Sequence, residues 1–185
     1  MKVLLIIPTG KAGEIAPFAA ELEKHNIKTQ IVYLNESGSK NIAYSSVSAV
    51  CRLFEMPGYY PPMKLVDMSF EAEYSQQIEF VKSLLLSHPG CTALAVYQPA
   101  ISILMKAGTG LENKLVFYEN GDAVKAMFGR YGKRFIEKYY TSADTAVFSG
   151  DAAKNDYPPE ISAKGVVIED LTSPESILKW VDVLN

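Results

Sequence analysis

Glu119 and Asp122 are two carboxylates that stand close together in the sequence, separated by Asn120 and Gly121. A pair of carboxylates suits acid–base catalysis or the binding of sugar hydroxyl groups. For Asp122, the role of a helix N-cap is the favoured alternative, because aspartate is a preferred residue at that position. Glu119 is the candidate catalytic residue of the chain, and a structural role for it is the open alternative.

A second candidate is the segment of residues 9–13, Thr-Gly-Lys-Ala-Gly, which follows an apolar run. Gly10 and Gly13 would let backbone amides approach a ligand, and the N-terminus of the next helix would favour an anion, with Lys11 adding a positive charge. The alternative is that the glycines only make the turn from strand to helix. The segment lacks the third glycine of the dinucleotide fingerprint and the Gly-Lys-Ser/Thr ending of a P-loop, which disfavours an NAD or ATP site.

The remaining reactive residues offer no other kind of site. The two histidines, His25 and His88, and the two cysteines, Cys51 and Cys91, have no spacing that would bind zinc. A Gly-x-Ser-x-Gly elbow is absent from the sequence, and Cys51 has no obvious activating histidine, which favours a buried structural thiol. We therefore predict no metal site and no cofactor.

Length and composition set the class of protein. The 185 residues, 48% of them hydrophobic, fit one domain over residues 1–185. The net charge of -3 disfavours nucleic acid as a partner. The apolar run Val3–Ile7 is too short for an export signal, and nothing approaches the ~20 apolar residues of a membrane span. Together with the low cysteine count, this predicts a cytoplasmic protein.

Signals for strands and helices alternate along the chain, which predicts an α/β fold. The expected architecture is a three-layer, doubly wound, mainly parallel sheet of Rossmann-like type, closed by a helix over residues 174–184 that packs back on it. Pro17 is expected in the first turn of its helix, where proline is tolerated. Residues 41–54 are ambiguous between strand and helix. The predicted strands are residues 3–7, 29–34, 92–97, 114–118, 143–148 and 165–168, and the predicted helices include residues 70–85, 100–107 and 123–140.

The predicted helix over residues 123–140 carries interleaved basic and aromatic residues. A surface that faces phosphate or the periphery of a membrane is one interpretation. The favoured alternative is a solvated basic face with the aromatic side chains packed on the sheet. The aromatic residues concerned are Phe128, Tyr131, Phe135, Tyr139 and Tyr140.

Polar residues follow four of the predicted strands. In open α/β sheets, ligands bind beyond the carboxyl ends of the strands. We therefore expect a substrate site along one edge of the sheet, built from Gly10, Lys11, Gly13, Gln98, Glu119, Asn120 and Ser149.

Several segments, taken in order, resemble the N-terminal half of GT-B fold glycosyltransferases, with the retaining enzymes of family 4 as the nearest in character. The opening strand, the Gly10–Gly13 loop, the following helix and strand 30–34 carry the first part of this resemblance. The later segments that are similar to this family are Arg134–Lys138, Ser142–Ser149, Lys164–Glu169 and Ser173–Trp180.

The resemblance implies an acceptor-side lobe that takes part in sugar transfer from a nucleotide-sugar donor. It also implies a sugar or phosphate-bearing acceptor and a second lobe or subunit that binds the donor, since this sequence ends where that lobe should begin. Members of the family often carry a histidine near the position of Glu119. The competing interpretations are a non-catalytic, flavodoxin-like ligand-binding or regulatory domain, and a small nucleotide-dependent enzyme complete in one domain.

Overall fold

The core of the protein is a parallel sheet, seen in a computed structural model that describes residues 2–34, 63–121 and 132–185. Within these residues, six strands pair in the order β2-β1-β3-β4-β5-β6, and every pair is parallel. The strands are β1 (Lys2–Pro8), β2 (Lys28–Leu34), β3 (Thr92–Val96), β4 (Lys114–Glu119), β5 (Thr145–Phe148) and β6 (Gly165–Val167).

Helices cover both faces of this sheet. The helices are α1 (Ala12–Lys24), α2 (Met63–Ser87), α3 (Ala100–Gly108), α4 (Gly132–Tyr139), α5 (Asp151–Asn155), α6 (Pro159–Ser162) and α7 (Pro174–Leu184). One face carries α1 and α7, and the other carries α2 to α6. A 3₁₀ turn (Thr9–Lys11) precedes α1, and another (Tyr140–Ser142) follows α4. The predicted three-layer, Rossmann-like α/β architecture is confirmed.

The first strand shows why the sheet is buried on both sides. Every residue from Val3 to Ile7 is buried, and because side chains alternate along a strand, Leu4 and Ile6 contact the α2–α6 layer while Leu5 contacts the α1–α7 layer. An uninterrupted apolar run is the sequence that such a two-sided environment requires.

The structure corrects the expectation for Pro17. Helix α1 begins at Ala12, so Pro17 is its sixth residue and lies inside the helix rather than in the first turn. Proline there removes one backbone hydrogen bond and crowds the carbonyl group four residues earlier, which belongs to Gly13. The apolar face of α1 compensates for this, since Ile15, Phe18 and Leu22 are all buried.

Other predicted boundaries shift slightly or lie outside the described residues. The fifth strand begins at Thr145 rather than at residue 143. Of the predicted helix 123–140, residues 132–139 are helical and residues 140–142 form the 3₁₀ turn, while residues 123–131 lie outside the described part, as do Asp122 and residues 41–54.

The closing helix α7 packs against the α1 side of the sheet. Ser173 caps it by accepting a hydrogen bond from the Ser176 amide, and Pro174 opens it, as predicted. Trp180 is fully buried, meets Phe18 edge to face at 5.3 Å, and donates from Nε1 to the Asp170 carbonyl oxygen at 3.1 Å. Helices α1 and α7 therefore form one layer.

Candidate functional site

The strand order creates one switch point in the described sheet. Strands β1 and β3 are neighbours, but β1 leads into α1 on one face and β3 leads into α3 on the other. The two connections diverge, and in sheets of this kind the crevice between such diverging connections is the usual place for a ligand. Here it lies between the turn Thr9–Lys11 and the segment Tyr97–Pro99.

The residues predicted to form a substrate site do lie along the carboxyl edge of the sheet. Gly10, Lys11 and Gly13 follow β1, Gln98 follows β3, and Glu119 ends β4. Asn120 comes next to Glu119, and Ser149 follows β5, where its amide donates to the Glu119 carbonyl oxygen at 3.0 Å. Their convergence on one edge, inferred from sequence, agrees with the topology, whereas their roles remain predictions.

The structure also divides these residues between the two faces of the sheet. We call Lys11, Glu14 and Tyr97 the α1-side group, because Tyr97 packs against the α1–α7 layer. The α3-side group packs with the opposite layer and consists of Gln98, Ser102, Glu119, Tyr140 and Tyr157. The glycine segment and Glu119 consequently do not form one cradle, because the end of β3 lies between them and their side-chain partners belong to opposite layers.

Glu14 is the centre of the α1-side group. Its Oε1 lies 2.6 Å from Lys11 Nζ, and its Oε2 accepts a hydrogen bond of 2.7 Å from the Tyr97 hydroxyl. Lys11 Nζ also lies 4.8 Å from the centroid of the Tyr97 ring, within the range of a cation–π contact. The three side chains therefore form a closed cluster of one cation, one anion and one phenol.

The charge states of this group follow from these contacts. Hydrogen bonds from Lys11 and then from Tyr97 lower the pKa of Glu14, so its carboxylate is ionised at neutral pH. Burial first, and then the hydrogen bond to Glu14, raise the pKa of Tyr97, so its hydroxyl stays protonated and donates. The group carries no net charge, since Lys11 and Glu14 cancel.

Tyr97 has an unusual backbone. Its φ is 70°, in the left-handed region that few bulky residues adopt, and the Gln98–Pro99 peptide bond that follows is cis. Residues other than glycine with a left-handed φ, as at Tyr97, cluster at binding and active sites. This conformation aims Tyr97 and Gln98 at different layers, since Tyr97 bonds to Glu14 and Gln98 to Tyr140.

The glycines of residues 9–13 have a simpler role in the structure. Neither Gly10 nor Gly13 has a positive φ, and a Cβ added to Gly13 would meet no atom within 4 Å. The segment is therefore a helical turn from strand to helix, which is one of the two alternatives drawn from the sequence. Anion binding by this turn stays a prediction.

Gln98, Ser102 and Tyr140 form a ring of hydrogen bonds on the other side. The Gln98 amide donates to the Tyr140 hydroxyl at 2.8 Å, the Ser102 hydroxyl donates to Gln98 Oε1 at 2.8 Å, and the two hydroxyls are 3.0 Å apart. Tyr140 is fully buried, and burial is the main cause that raises its pKa. The ring fixes the side chain of Gln98 at the start of α3.

Glu119 is a buried carboxylate, with 1% of its surface exposed. The Tyr157 hydroxyl donates to its Oε2 at 2.8 Å, and the Gly121 amide donates to its Oε1 at 3.1 Å. Burial is the main cause that raises the pKa of Tyr140, and the negative charge of Glu119 adds to it. The catalytic role of Glu119 stays a prediction, and because only 1% of its surface is exposed, a substrate would reach it only if neighbouring side chains moved.

Sequence reasoning missed four of these partners. Glu14 had a signal, because it stands three residues after Lys11 at a helix start. Tyr97 was assigned to a strand, and nothing local revealed its left-handed backbone. Ser102 contacts Gln98, 4 positions away, and Tyr157 contacts Glu119, 38 positions away. No helix or strand periodicity in the sequence could reveal the contact between Tyr157 and Glu119.

The described part of the basic and aromatic helix packs inward. Phe135, Tyr139 and Tyr140 are buried against the sheet layer, as the favoured alternative predicted, while Phe128 and Tyr131 lie outside the described residues. Lys138 forms an ion pair with Asp67 of α2 rather than a free basic surface.

Comparisons with protein-family models and with curated proteins found no match for this chain. Among residues 2–34, 63–121 and 132–185, no helix combines the length and apolar character needed to cross a membrane. The same residues contain no cluster of three or more His, Cys, Asp and Glu side chains able to hold a metal ion. The features of the described residues that bear on function are therefore the fold and the two groups at the sheet edge.

Proposed function

We propose that this chain is the acceptor-side domain of a glycosyltransferase and binds a sugar or phosphate-bearing acceptor in the crevice between β1 and β3. The observation that supports this most is the switch point itself, with Lys11 and Glu14 on one side of the crevice and Tyr97 and Gln98 on the other. A second lobe or subunit would supply the nucleotide-sugar donor.

The side chains at the crevice suit a hydroxyl-rich ligand. A carboxylate offers about four lone-pair positions, so Glu14 can accept sugar hydroxyl groups in addition to the Tyr97 hydroxyl and Lys11. The Tyr97 ring adds an aromatic surface with a polar end, a combination that is common where one side of a ligand is apolar and the other is polar. A few polar groups placed in this way fix the orientation of a small ligand.

Glu119 is the candidate base for the transfer step. A base must lie within hydrogen-bond reach of the acceptor hydroxyl, and Glu119 Oε2 already accepts such a bond from Tyr157. In the proposed complex the acceptor extends from the crevice past Gln98 to the end of β4, and its hydroxyl takes the place of the Tyr157 hydroxyl, so binding and the movement of Tyr157 are coupled.

A non-catalytic, flavodoxin-like binding or regulatory domain is the second candidate. The strand order β2-β1-β3-β4-β5 is the flavodoxin-like one, and folds of this order bind ligands at the same switch point without a shared chemistry. The burial of Glu119 favours this candidate, because a carboxylate held by Tyr157 and Gly121 has a sufficient structural role.

Amide NMR titrations of the chain with a methyl hexoside, a hexose phosphate and a UDP-hexose test the proposal. We expect saturable shifts from a hexoside or hexose phosphate at residues 9–14 and 97–98. We expect none at residues 183–184, which lie beside Thr92 and Lys114 at the opposite end of the sheet. Absence of saturable shifts with every sugar ligand would contradict the proposed function. Selective binding of the nucleotide part alone would favour the second candidate.

A further inference from the structure

Glu14 stands in a position where the sequence predicts an anionic ligand. The first turn of a helix attracts negative charge, and Lys11 adds to this attraction. In the structure, the Glu14 carboxylate takes that position, 2.6 Å from Lys11 Nζ. The protein's own anion therefore already compensates the positive charge of the turn.

A tertiary contact holds this carboxylate in place. Glu21 and Lys24, at the other end of α1, form an ion pair of the same spacing and the same 2.6 Å distance, so the pair alone is an ordinary feature of a helix surface. Glu14 differs because its second oxygen accepts a hydrogen bond from Tyr97, 83 residues away. The left-handed backbone of Tyr97 gives this contact its direction.

We propose that Glu14 determines the charge of the ligand that the crevice accepts, selecting neutral, hydroxyl-rich molecules against those that place a phosphate at the α1 turn. This inference rests on the proposed function and narrows its acceptor to the uncharged sugar class at this position. A phosphate beside Glu14 meets a like charge at close range, whereas a sugar hydroxyl donates a hydrogen bond to the same oxygens.

The test compares Glu14→Gln with Glu21→Gln as the matched control. The glutamine keeps an acceptor oxygen for the Tyr97 hydroxyl and removes the negative charge, and because the Glu14 side chain is 52% exposed the fold is expected to be retained. The probes are inorganic phosphate and a methyl hexoside, followed by the amide NMR shifts of residues 11–14. A thermal melt of each variant reports its folding.

For Glu14→Gln we expect phosphate to bind about fivefold more tightly than to the unaltered chain, while Glu21→Gln leaves phosphate binding unchanged. The further change Lys11→Met, made in the Glu14→Gln background, should abolish that gain, because it removes the cation that phosphate would meet.

Two results separate this inference from the proposed function. Equal phosphate affinity in the unaltered chain and in Glu14→Gln overturns the role of Glu14, even if the hexoside binds. Failure of the hexoside to bind any variant overturns the proposed function, and the phosphate comparison still decides whether Glu14 repels anions.

Discussion

The hydroxyl of Tyr157 donates a hydrogen bond of 2.8 Å to Oε2 of Glu119, joining the turn after α5 to the end of β4. Tyr157 also packs its ring against Phe148, with 4.9 Å between the ring centroids. This contact places a phenol and a buried carboxylate at the edge of the sheet where a ligand is expected. The same hydrogen bond therefore contributes to the stability of the fold and occupies a carboxylate oxygen that a ligand would need.

Tyr157→Phe should destabilise the protein. The variant keeps the ring and removes a hydrogen bond to a charged group, which is worth about 1.5–3 kcal/mol. Urea unfolding followed by circular dichroism measures the loss. Tyr33→Phe is the control, because Tyr33 is an exposed residue of β2, and it should change stability by less than about 0.5 kcal/mol. Equal midpoints for the two variants would show that the Glu119 contact adds nothing to stability.

Replacement of glycine by alanine should have opposite effects on stability at Gly13 and at Gly165. Gly13→Ala lies in α1 with no atom within 4 Å of the new Cβ, so it should stabilise by up to about 1 kcal/mol. In Gly165→Ala the new Cβ would lie 2.8 Å from the Ser162 carbonyl oxygen and 2.7 Å from Phe148 Cε2, which should destabilise by about 1–3 kcal/mol. Thermal melts of both variants give the signs. A destabilised Gly13→Ala would show that the turn needs its glycine after all.

The lowered pKa of Asp67 makes the free energy of unfolding depend on pH. Burial alone would raise its pKa, but hydrogen bonds from Lys138 and Tyr139 outweigh burial, so the pKa of Asp67 lies below its usual value. A carboxyl group with a lowered pKa stabilises the folded state at neutral pH and loses this contribution as pH falls from about 4 through the folded-state pKa.

Asp67→Asn should therefore destabilise the protein at neutral pH by about 1–3 kcal/mol and flatten the fall of stability in acid. Urea unfolding at pH 7 and at a series of pH values below about 5 measures both effects. Asp182→Asn, at an exposed position on α7, is the control and should change the free energy of unfolding at pH 7 by less than about 0.5 kcal/mol. A profile for Asp67→Asn parallel to that of the unaltered chain would contradict the assigned pKa shift.

The fold was readable from the sequence because its signals are local. The buried run Val3–Ile7 and the capped helix opened by Ser173 and Pro174 each carry their own pattern, and each lies where the pattern predicts. Strand ends in a parallel sheet gather at one edge by geometry alone, which is why Gln98 and Glu119 could be assigned to it.

The arrangement of the site was not readable in the same way. Whether Glu119 faces the glycine segment or the opposite layer depends on the parity of side chains along β4 and on which face each helix takes. The hydrogen bond between Glu14 and Tyr97 depends on the left-handed backbone of Tyr97, and no turn motif in the sequence indicates that conformation. The prediction that Pro17 lies in the first turn was wrong, because helix α1 begins at Ala12, before the first apolar residue of its periodic pattern.

The place of β3 beside β1 has a consequence for folding. The β1–α1–β2 unit closes through contacts between neighbouring parts of the chain, such as Val3 with Thr29. The crevice needs Val3 to pair with Thr92 as well, a contact between distant residues that costs more chain entropy and forms more slowly. The binding proposed for the crevice therefore requires the completed sheet, because the β1–α1–β2 unit alone lacks the end of β3, which carries Tyr97 and Gln98.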